Sequence, residues 1–276
     1  MRAMNDLQVF RRAALERGTP EPVVDWWLGL ARPQLLFHRY EDSHRAAGVP
    51  VAGTYGGYPR LPADVEWDGG LDLVVSIDCA TLPRDLPDFP LPTDGALLFF
   101  GTDYEEDCYC RSCTPPERQG RVVHVPVGAV TSERVPPEDP EDEEDEYPGG
   151  ESPTGPFPIR WTRRWAFPAD ESTAVRRSEE YREAFRRYDL QSFASILDED
   201  DAVFALGGYA LDSQDALSAQ LEEERYAGSE DWRQLAEWAT TFKGYGNTGR
   251  SMWCISREDL GVARFDRTMV STDINV

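Results

Sequence analysis

The sequence predicts an α+β fold, with N-terminal helices leading into a core of short strands that is built twice. Three observations carry this. Apolar residues recur at helical spacing near the start. From residue 49 onward they gather in short runs between glycines and prolines. And one order of parts occurs in both halves: a Gly-Gly-Tyr turn, an apolar run ending in polar residues, then a glycine opening an aromatic-rich strand. With 276 residues, 40% of them hydrophobic and 11% aromatic, the chain has apolar surface for a substantial core, which fits a single domain over 1–276.

Asn5 or Asp6 can cap a helix in which Leu7, Phe10, Ala14 and Leu15 share a face, ending near Gly18 ahead of Pro20 and Pro22. A second helix starts at Pro22, suits Val23, Trp26, Trp27 and Leu30, and is stopped by Pro33, so the helices fill 5–32. His38 and His44, set among Arg39, Glu41, Asp42 and Arg45, read as a solvated connection. The runs Leu71 to Ile77, Ala96 to Phe100 and Arg121 to Val127 read as strands of a first unit over 49–130. Residues 132–158, centred on Glu141-Asp142-Glu143-Glu144-Asp145-Glu146, repel themselves and bury little, so they read as an acidic linker. A helix follows over about Thr173 to Arg187, and the strand and glycine pattern returns in a second unit over 204–276.

The repeated order is specific. Gly56-Gly57-Tyr58-Pro59 leads to Leu71 to Asp78 and then to Gly95-Ala96-Leu97-Leu98-Phe99-Phe100. Gly207-Gly208-Tyr209-Ala210 leads to Trp232 to Thr240 and then to Gly249-Arg250-Ser251-Met252-Trp253-Cys254. A degenerate internal duplication is the simplest account.

Taken in order along the chain, Ala31-Arg32-Pro33, Gly56-Gly57-Tyr58-Pro59, Leu61-Pro62, Glu66-Trp67, Val74 to Asp78, Leu82-Pro83, Leu91-Pro92 and Gly95 to Phe100 resemble the YwqG-like family of bacterial proteins of unknown function. Leu206 to Tyr209, Trp232 to Leu235, Gly244 to Arg250, Asp259-Leu260 and Phe265 extend the resemblance. Ala210 departs from it, standing where the family's second repeat has proline; the strand before Asp78 lacks the family's common glutamine. The acidic insert and the cysteine cluster lie outside the pattern. The resemblance implies an α+β fold with a duplicated, mainly antiparallel sheet core, and no established activity. It also argues that Trp232, Leu235 and Trp238, spaced by three as in a helix, belong to a strand.

Fifty-one acidic against 28 basic residues give a net charge of −23, which repels phosphate backbones and anionic lipid and so excludes nucleic acid and membrane surfaces as partners. No apolar run of about 18 residues is present, and Met1 to Asp6 leads into a charged amphipathic stretch instead of an apolar signal core. Five cysteines, three of them in one segment, argue against a disulfide framework and for a reducing, cytoplasmic location.

Cys108, Cys110 and Cys113 could supply three thiolates of a zinc site, with Asp107, His124, Cys79 or Cys254 as fourth ligand; idle loop cysteines, or a Cys108–Cys113 pair, are the plain alternative. The only histidines are His38, His44 and His124, and His124 interrupts an apolar strand, where a hydrogen-bonded structural role fits best. No nucleophile elbow, zinc-protease helix, P-loop or dinucleotide fingerprint occurs. Acid pairs such as Asp103 with Asp107, or Glu66 with Asp68, are expected by chance in so acidic a chain, so no catalytic carboxylate is named. Arg160-Trp161-Thr162-Arg163-Arg164-Trp165 interleaves cations with indoles, the recipe for stacking on bases or binding a carboxylate; a packing layer or a dock for the acidic run is the plainer alternative, since the net charge opposes nucleic acid.

Tyr58 and Trp67 flank the first Gly-Gly turn and Tyr209 the second, so the two turns could frame a ligand cleft with Arg32, Asn247 and Arg250. Turns that simply pack on each other are the alternative. The expected function is therefore a cytosolic binding or interaction protein, regulatory or toxin-neutralising, taking a small ligand or a basic protein. The alternative is an enzyme of unrecognised type that uses carboxylates with or without a bound metal.

Overall fold

The computed structural model describes residues 2–67, 71–101, 120–135, 156–168, 179–190, 202–209, 232–241 and 248–275. Its first elements are two helices, α1 (Arg2–Glu16) and α2 (Glu21–Gly29), with Pro22 in the first turn of α2, where no backbone donor is needed. Phe10 and Ala14 of α1 face Val24 and Trp27 of α2, all buried. Two details differ from the sequence reading. The helix opens at Arg2, ahead of the expected cap at Asn5 or Asp6, and Leu15 falls on the exposed side.

The strands follow: β1 (Arg32–Arg39), a short helix α3 (Asp42–Ala46), β2 (Gly53–Tyr55), β3 (Arg60–Pro62), β4 (Asp72–Asp78), β5 (Ala96–Gly101), β6 (Gly120–Val125), β7 (Thr131–Glu133) and β8 (Phe157–Ala166). After helix α4 (Glu179–Arg187) come β9 (Phe204–Gly207), β10 (Trp232–Thr241), β11 (Thr248–Ser256), helix α5 (Arg257–Gly261) and β12 (Met269–Asn275). Among the described residues no helix is long and apolar enough to cross a membrane.

Ten of these strands form one sheet in the order β12-β11-β10-β9-β1-β8-β2-β4-β5-β6, antiparallel at every step. At its centre β1 pairs with β8 along its whole length, Arg32 opposite Ala166 and Arg39 opposite Ile159. A four-stranded meander stands on each side, β2-β4-β5-β6 against β8 and β9-β10-β11-β12 against β1. Each central strand precedes one meander in the chain and pairs with the other, so the two halves interlock.

Both meanders carry a β-bulge in the same place, at the step from Leu73 to Val75 in β4 and from Gln234 to Ala236 in β10. The extra residue in β10 explains its odd spacing. A strand alternates every two residues, and a bulge adds one, so Leu235 and Trp238 can both be buried three apart. The region is a strand, as the family resemblance argued.

The sheet curls until its ends meet. A Cβ placed on Gly120 at the start of β6 would lie 3.1 Å from Val270 of β12, and the indole of Trp253 on β11 donates to the Phe100 carbonyl of β5 at 3.3 Å. The enclosed core takes Leu35 and Phe37 from β1, Phe99 from β5, Ile159 from β8, Phe204 from β9 and Trp253 from β11. Burying each such side chain is worth about 1.5–3 kcal/mol. The helices make an annex at the end of β8, where the rings of Phe10 and Trp27 lie 5.0 and 5.2 Å from Phe167 and that of Phe185 on α4 lies 4.9 Å from Trp27. The β3–β7 pair covers the outer face of the first meander through Leu61, packed on Leu73, Leu98 and Phe100.

Two further sequence expectations are corrected, and the Arg-Trp run is placed in the sheet. His38 lies in β1, fully buried, its Nε2 2.8 Å from Thr162 Oγ1 across the central pair, and not in a solvated connection. The acidic linker is shorter than 132–158, because residues up to 133 pair in β7 and residues from 157 enter β8. The Arg-Trp run 160–165 is a central strand. Part of the expected helix 173–187 lies outside the described residues; its end is α4.

Candidate functional site

Where β9 ends, Gly207 and Gly208 both adopt left-handed backbone, φ +75° and +82°. The neighbouring chain requires glycine there. A Cβ on Gly207 would stand 2.7 Å from the Pro33 carbonyl oxygen, and one on Gly208 would stand 2.7 Å from Gln34 Nε2. The first turn shares the conformation, with φ +68° at Gly56 and +85° at Gly57.

The tight turn brings Gly208 N–H to the Pro33 carbonyl at 3.1 Å and swings Tyr209 beneath the junction of α2 and β1, where its hydroxyl donates to the Leu30 carbonyl at 2.6 Å. The Arg32 guanidinium lies over the Tyr209 ring at 3.9 Å. Around this pair opens a cleft of ≈ 240 Å³, walled by residues 29–33, by residues 87–89 of the proline-rich β4–β5 connection, and by Gly208, Tyr209, Arg233 and Gln234. Four separate chain segments therefore converge on it.

Burial pulls the Arg32 pKa below the ordinary arginine range, and the charges of Arg233 and Arg257 pull the same way, against Tyr209 and Asp88. Burial likewise raises the Tyr209 phenol. Asp88 holds a left-handed φ of 57° and pairs with Arg257 at 2.6 Å. Among the described residues no carboxylate is hydrogen-bonded to Arg32.

A row of polar groups runs from the cleft across the sheet. Arg164 Nε donates to Gln34 Oε1 at 2.7 Å, and the Gln34 and Gln234 amides both donate to the Gly207 carbonyl, at 3.4 and 3.2 Å. Gln234 Nε2 also meets Glu237 Oε2 at 3.3 Å, and Arg250 Nη1 donates to Glu237 Oε1 at 2.9 Å. The Gly207 carbonyl can only accept, which fixes the amide's orientation. Its Oε1 is then a buried acceptor with no partner among the described residues.

Burial raises the Glu237 carboxyl above the ordinary range, with Arg250, Gln234 and Arg164 opposing. The folded protein then holds this proton more tightly than the unfolded chain does, so the group's contribution to stability is full at low pH and is lost as pH rises through the raised pKa. In Glu237→Gln that part of the slope is expected to vanish. Urea midpoints of wild type and variant, compared from the ordinary carboxylate range up to neutral pH, should therefore diverge with pH; a constant gap would contradict it.

Of the residues singled out from sequence, Arg32 and Tyr209 meet in the cleft, and Arg250 is joined to it through Glu237 and Gln234. Tyr58 is exposed at the first Gly-Gly turn, and Trp67 is tied to the Leu71 carbonyl at 2.8 Å beside Phe100. Since β2 and β9 run in opposite directions across the central pair, the turns that follow them stand at opposite ends of the sheet, and a cleft framed by both does not form. Asn247, Cys108, Cys110 and Cys113 lie outside the described residues.

Arg233, Gln234, Gln34 and Glu237 were not singled out from sequence. Among the described residues no three metal-ligating side chains cluster. Cys79 and Cys254 are buried free thiols, their pKa values pushed by burial to about 11 and about 12. His124 Nε2 donates to the Asp94 carbonyl at 3.2 Å, tying β6 to the end of the β4–β5 connection.

Set against known protein families, residues 54–273 match one described as a domain of unknown function, DUF1963. No curated protein matches the chain.

Proposed function

We propose, from the premise that this chain belongs to the DUF1963 family of domains of unknown function, that it is a binding module whose ligand occupies the Arg32–Tyr209 cleft. One observation carries the reading. A partly buried guanidinium lies over an aromatic ring at the meeting point of four chain segments, without a hydrogen-bonded carboxylate among the described residues. Clefts in which apolar walls meet convergent polar groups are where small ligands are held.

The YwqG-like resemblance is consistent with the family. Duplication of the units 49–130 and 204–276 within one domain is supported by the matching Gly-Gly turns, matching bulges and mirrored strand order. The charge of −23 suits the cytosol and, as a second surface, a basic protein partner, which a regulatory or toxin-neutralising role would draw in by long-range attraction.

Hydrogen exchange tests the cleft directly. With a cytosolic small-molecule extract added, backbone amides of 29–33, 87–89, 208–209 and 232–234 are expected to slow together. Unchanged exchange at those amides, or turnover of a compound in the extract, would count against a binding module.

A further inference from the structure

We propose that residues 84–93 of the β4–β5 connection form a flap that lifts from the end of the sheet as one braced piece, drawing Phe89 out from between two cavities and joining them into a single longer cleft. This deepens the reading of the Arg32–Tyr209 cleft as a ligand site and rests on it for the flap's purpose.

A second cavity carries the argument. It measures ≈ 320 Å³ and is lined by residues 83–84, 86 and 88–93. Asp88 and Phe89 belong to its wall and also to the wall of the ≈ 240 Å³ cleft, so the tip of the connection is the partition between the two. The connection therefore lies against the body only in places. Over residues 82–95 the buried side chains are Leu82 and Phe89, and Phe89 is seated in the main core, where a Cβ on Gly207 would come within 3.3 Å of its ring.

The tip is built to move as a unit. Arg84 Nη2 donates to the Thr93 carbonyl at 2.5 Å, which ties its two legs together, and the Phe89 N–H meets the Leu86 carbonyl at 3.3 Å inside it. Pro87, Pro90 and Pro92 fix φ at three further positions, giving the stiffness of a compact loop with adjacent ends. Its base is anchored separately, by the Cys79 N–H on the Gly95 carbonyl at 3.0 Å and by His124 on the Asp94 carbonyl. Bending then falls between anchored base and braced tip, at Pro83–Arg84 and Thr93–Asp94.

Besides Phe89, two latches hold the tip down. Asp85 pairs with Arg163 of β8 at 2.9 Å, and Asp88 pairs with Arg257 of α5 at 2.6 Å. The two carboxylates are 80% and 77% exposed, and ion pairs in such surroundings are weak and screened by salt. The closed position thus depends on one seated ring and two weak pairs, which puts this segment among those that open locally, as ligand-site lids do.

The motion is read on the full-length protein without ligand, carrying para-fluorophenylalanine, with the Phe89 and Phe204 resonances assigned through Phe89→Leu and Phe204→Leu. Fluorine saturation-transfer spectroscopy is expected to find a second, solvent-like environment at Phe89 populated at about 0.1–10%. Phe204, in the same core, should show none. Raising potassium chloride from about 0.1 M to about 1 M, which shortens the screening length from about 10 Å to about 3 Å, should raise the Phe89 population about threefold. Asp85→Asn combined with Asp88→Asn should raise it as much and abolish the further response to salt; asparagine tolerates the left-handed backbone at residue 88.

Absence of a second state at Phe89 would overturn the flap. A second state shared equally by Phe204 would overturn it too, because the core would then be opening as a whole. A Phe89 population indifferent to salt and to the two substitutions would overturn the latches and the flap they define. If the double variant does not fold, the salt series on the wild type decides alone. With no ligand present, each of these failures spares the cleft as a binding site; failure of the extract to protect the cleft amides would instead remove the binding site, and with it the purpose assigned to the flap.

Discussion

Replacing Trp253 by alanine is expected to destabilise the protein by about 3–5 kcal/mol, the range for emptying a buried large aromatic site. The side chain is fully buried on β11 and reaches across the enclosed core. Its ring lies 5.7 Å from Phe99 of β5 and 5.9 Å from Phe204 of β9, and its Nε1 donates to the Phe100 carbonyl. One residue thus joins the second meander to the first where the sheet curls shut. At roughly 2–4 °C per kcal/mol for chains of about this size, the melting temperature should fall by something on the order of 10 °C.

Trp253→Phe keeps most of the volume and loses the hydrogen bond, so a smaller loss, about 1–2 kcal/mol, is expected. Urea unfolding followed by circular dichroism and by tryptophan fluorescence is the measurement. A loss under about 1 kcal/mol for the alanine variant would mean that the two meanders do not depend on this contact.

The strands that the sequence announced are those whose burial is one-sided or bounded by punctuation. β4, β5 and β6 are short apolar runs between glycines and prolines, and they could be read directly. The two central strands could not. β1 follows a helix immediately, is buried on both faces, and so shows no alternation; its buried polar residues, Gln34 and His38, made it resemble a connection.

β8 carries five basic or indole side chains in a row of six, Arg160 to Trp165, which argues against a sheet centre until their partners are known. Arg163 pairs with Asp85 at 2.9 Å, Arg164 with Gln34, and the Trp161 indole donates to the Thr81 carbonyl at 3.1 Å. Every one of those partners is distant in sequence, so the compensation exists only in the folded chain.

The site was half legible for a related reason. Repetition pointed to the glycine turns, and with them to Tyr209 and Arg32. What repetition does not encode is direction. Because β2 and β9 are antiparallel, equivalence of the turns implies separation, and Tyr58 and Trp67 fall away from the cleft. Arg233 and Gln234 enter it from the bulged part of β10, where an extra residue changes which side chains face which way. Only a known register reveals that.

A second large effect is expected at Gly53, in the middle of the sheet between Ile77 of β4 and Ile159 of β8. A Cβ there would stand 2.0 Å from the Ser76 carbonyl oxygen, and the backbone φ of +153° is one that side chains rarely adopt. The obstacle is a ladder carbonyl and cannot rotate aside as a side chain can. Gly53→Ala should therefore combine collision with strain, a loss of roughly 3–5 kcal/mol.

Gly56→Ala separates the two. Gly56 is also left-handed, at φ +68°, but its Cβ would meet nothing within 4 Å, so strain alone applies, about 1 kcal/mol. If the two variants unfold at the same urea concentration, the carbonyl contact carries no weight and β2 must be free to move away from β4. A large gap between them would show that the glycine at the head of β2 is required by how closely its neighbour packs, a demand set by β4 and invisible in the local sequence.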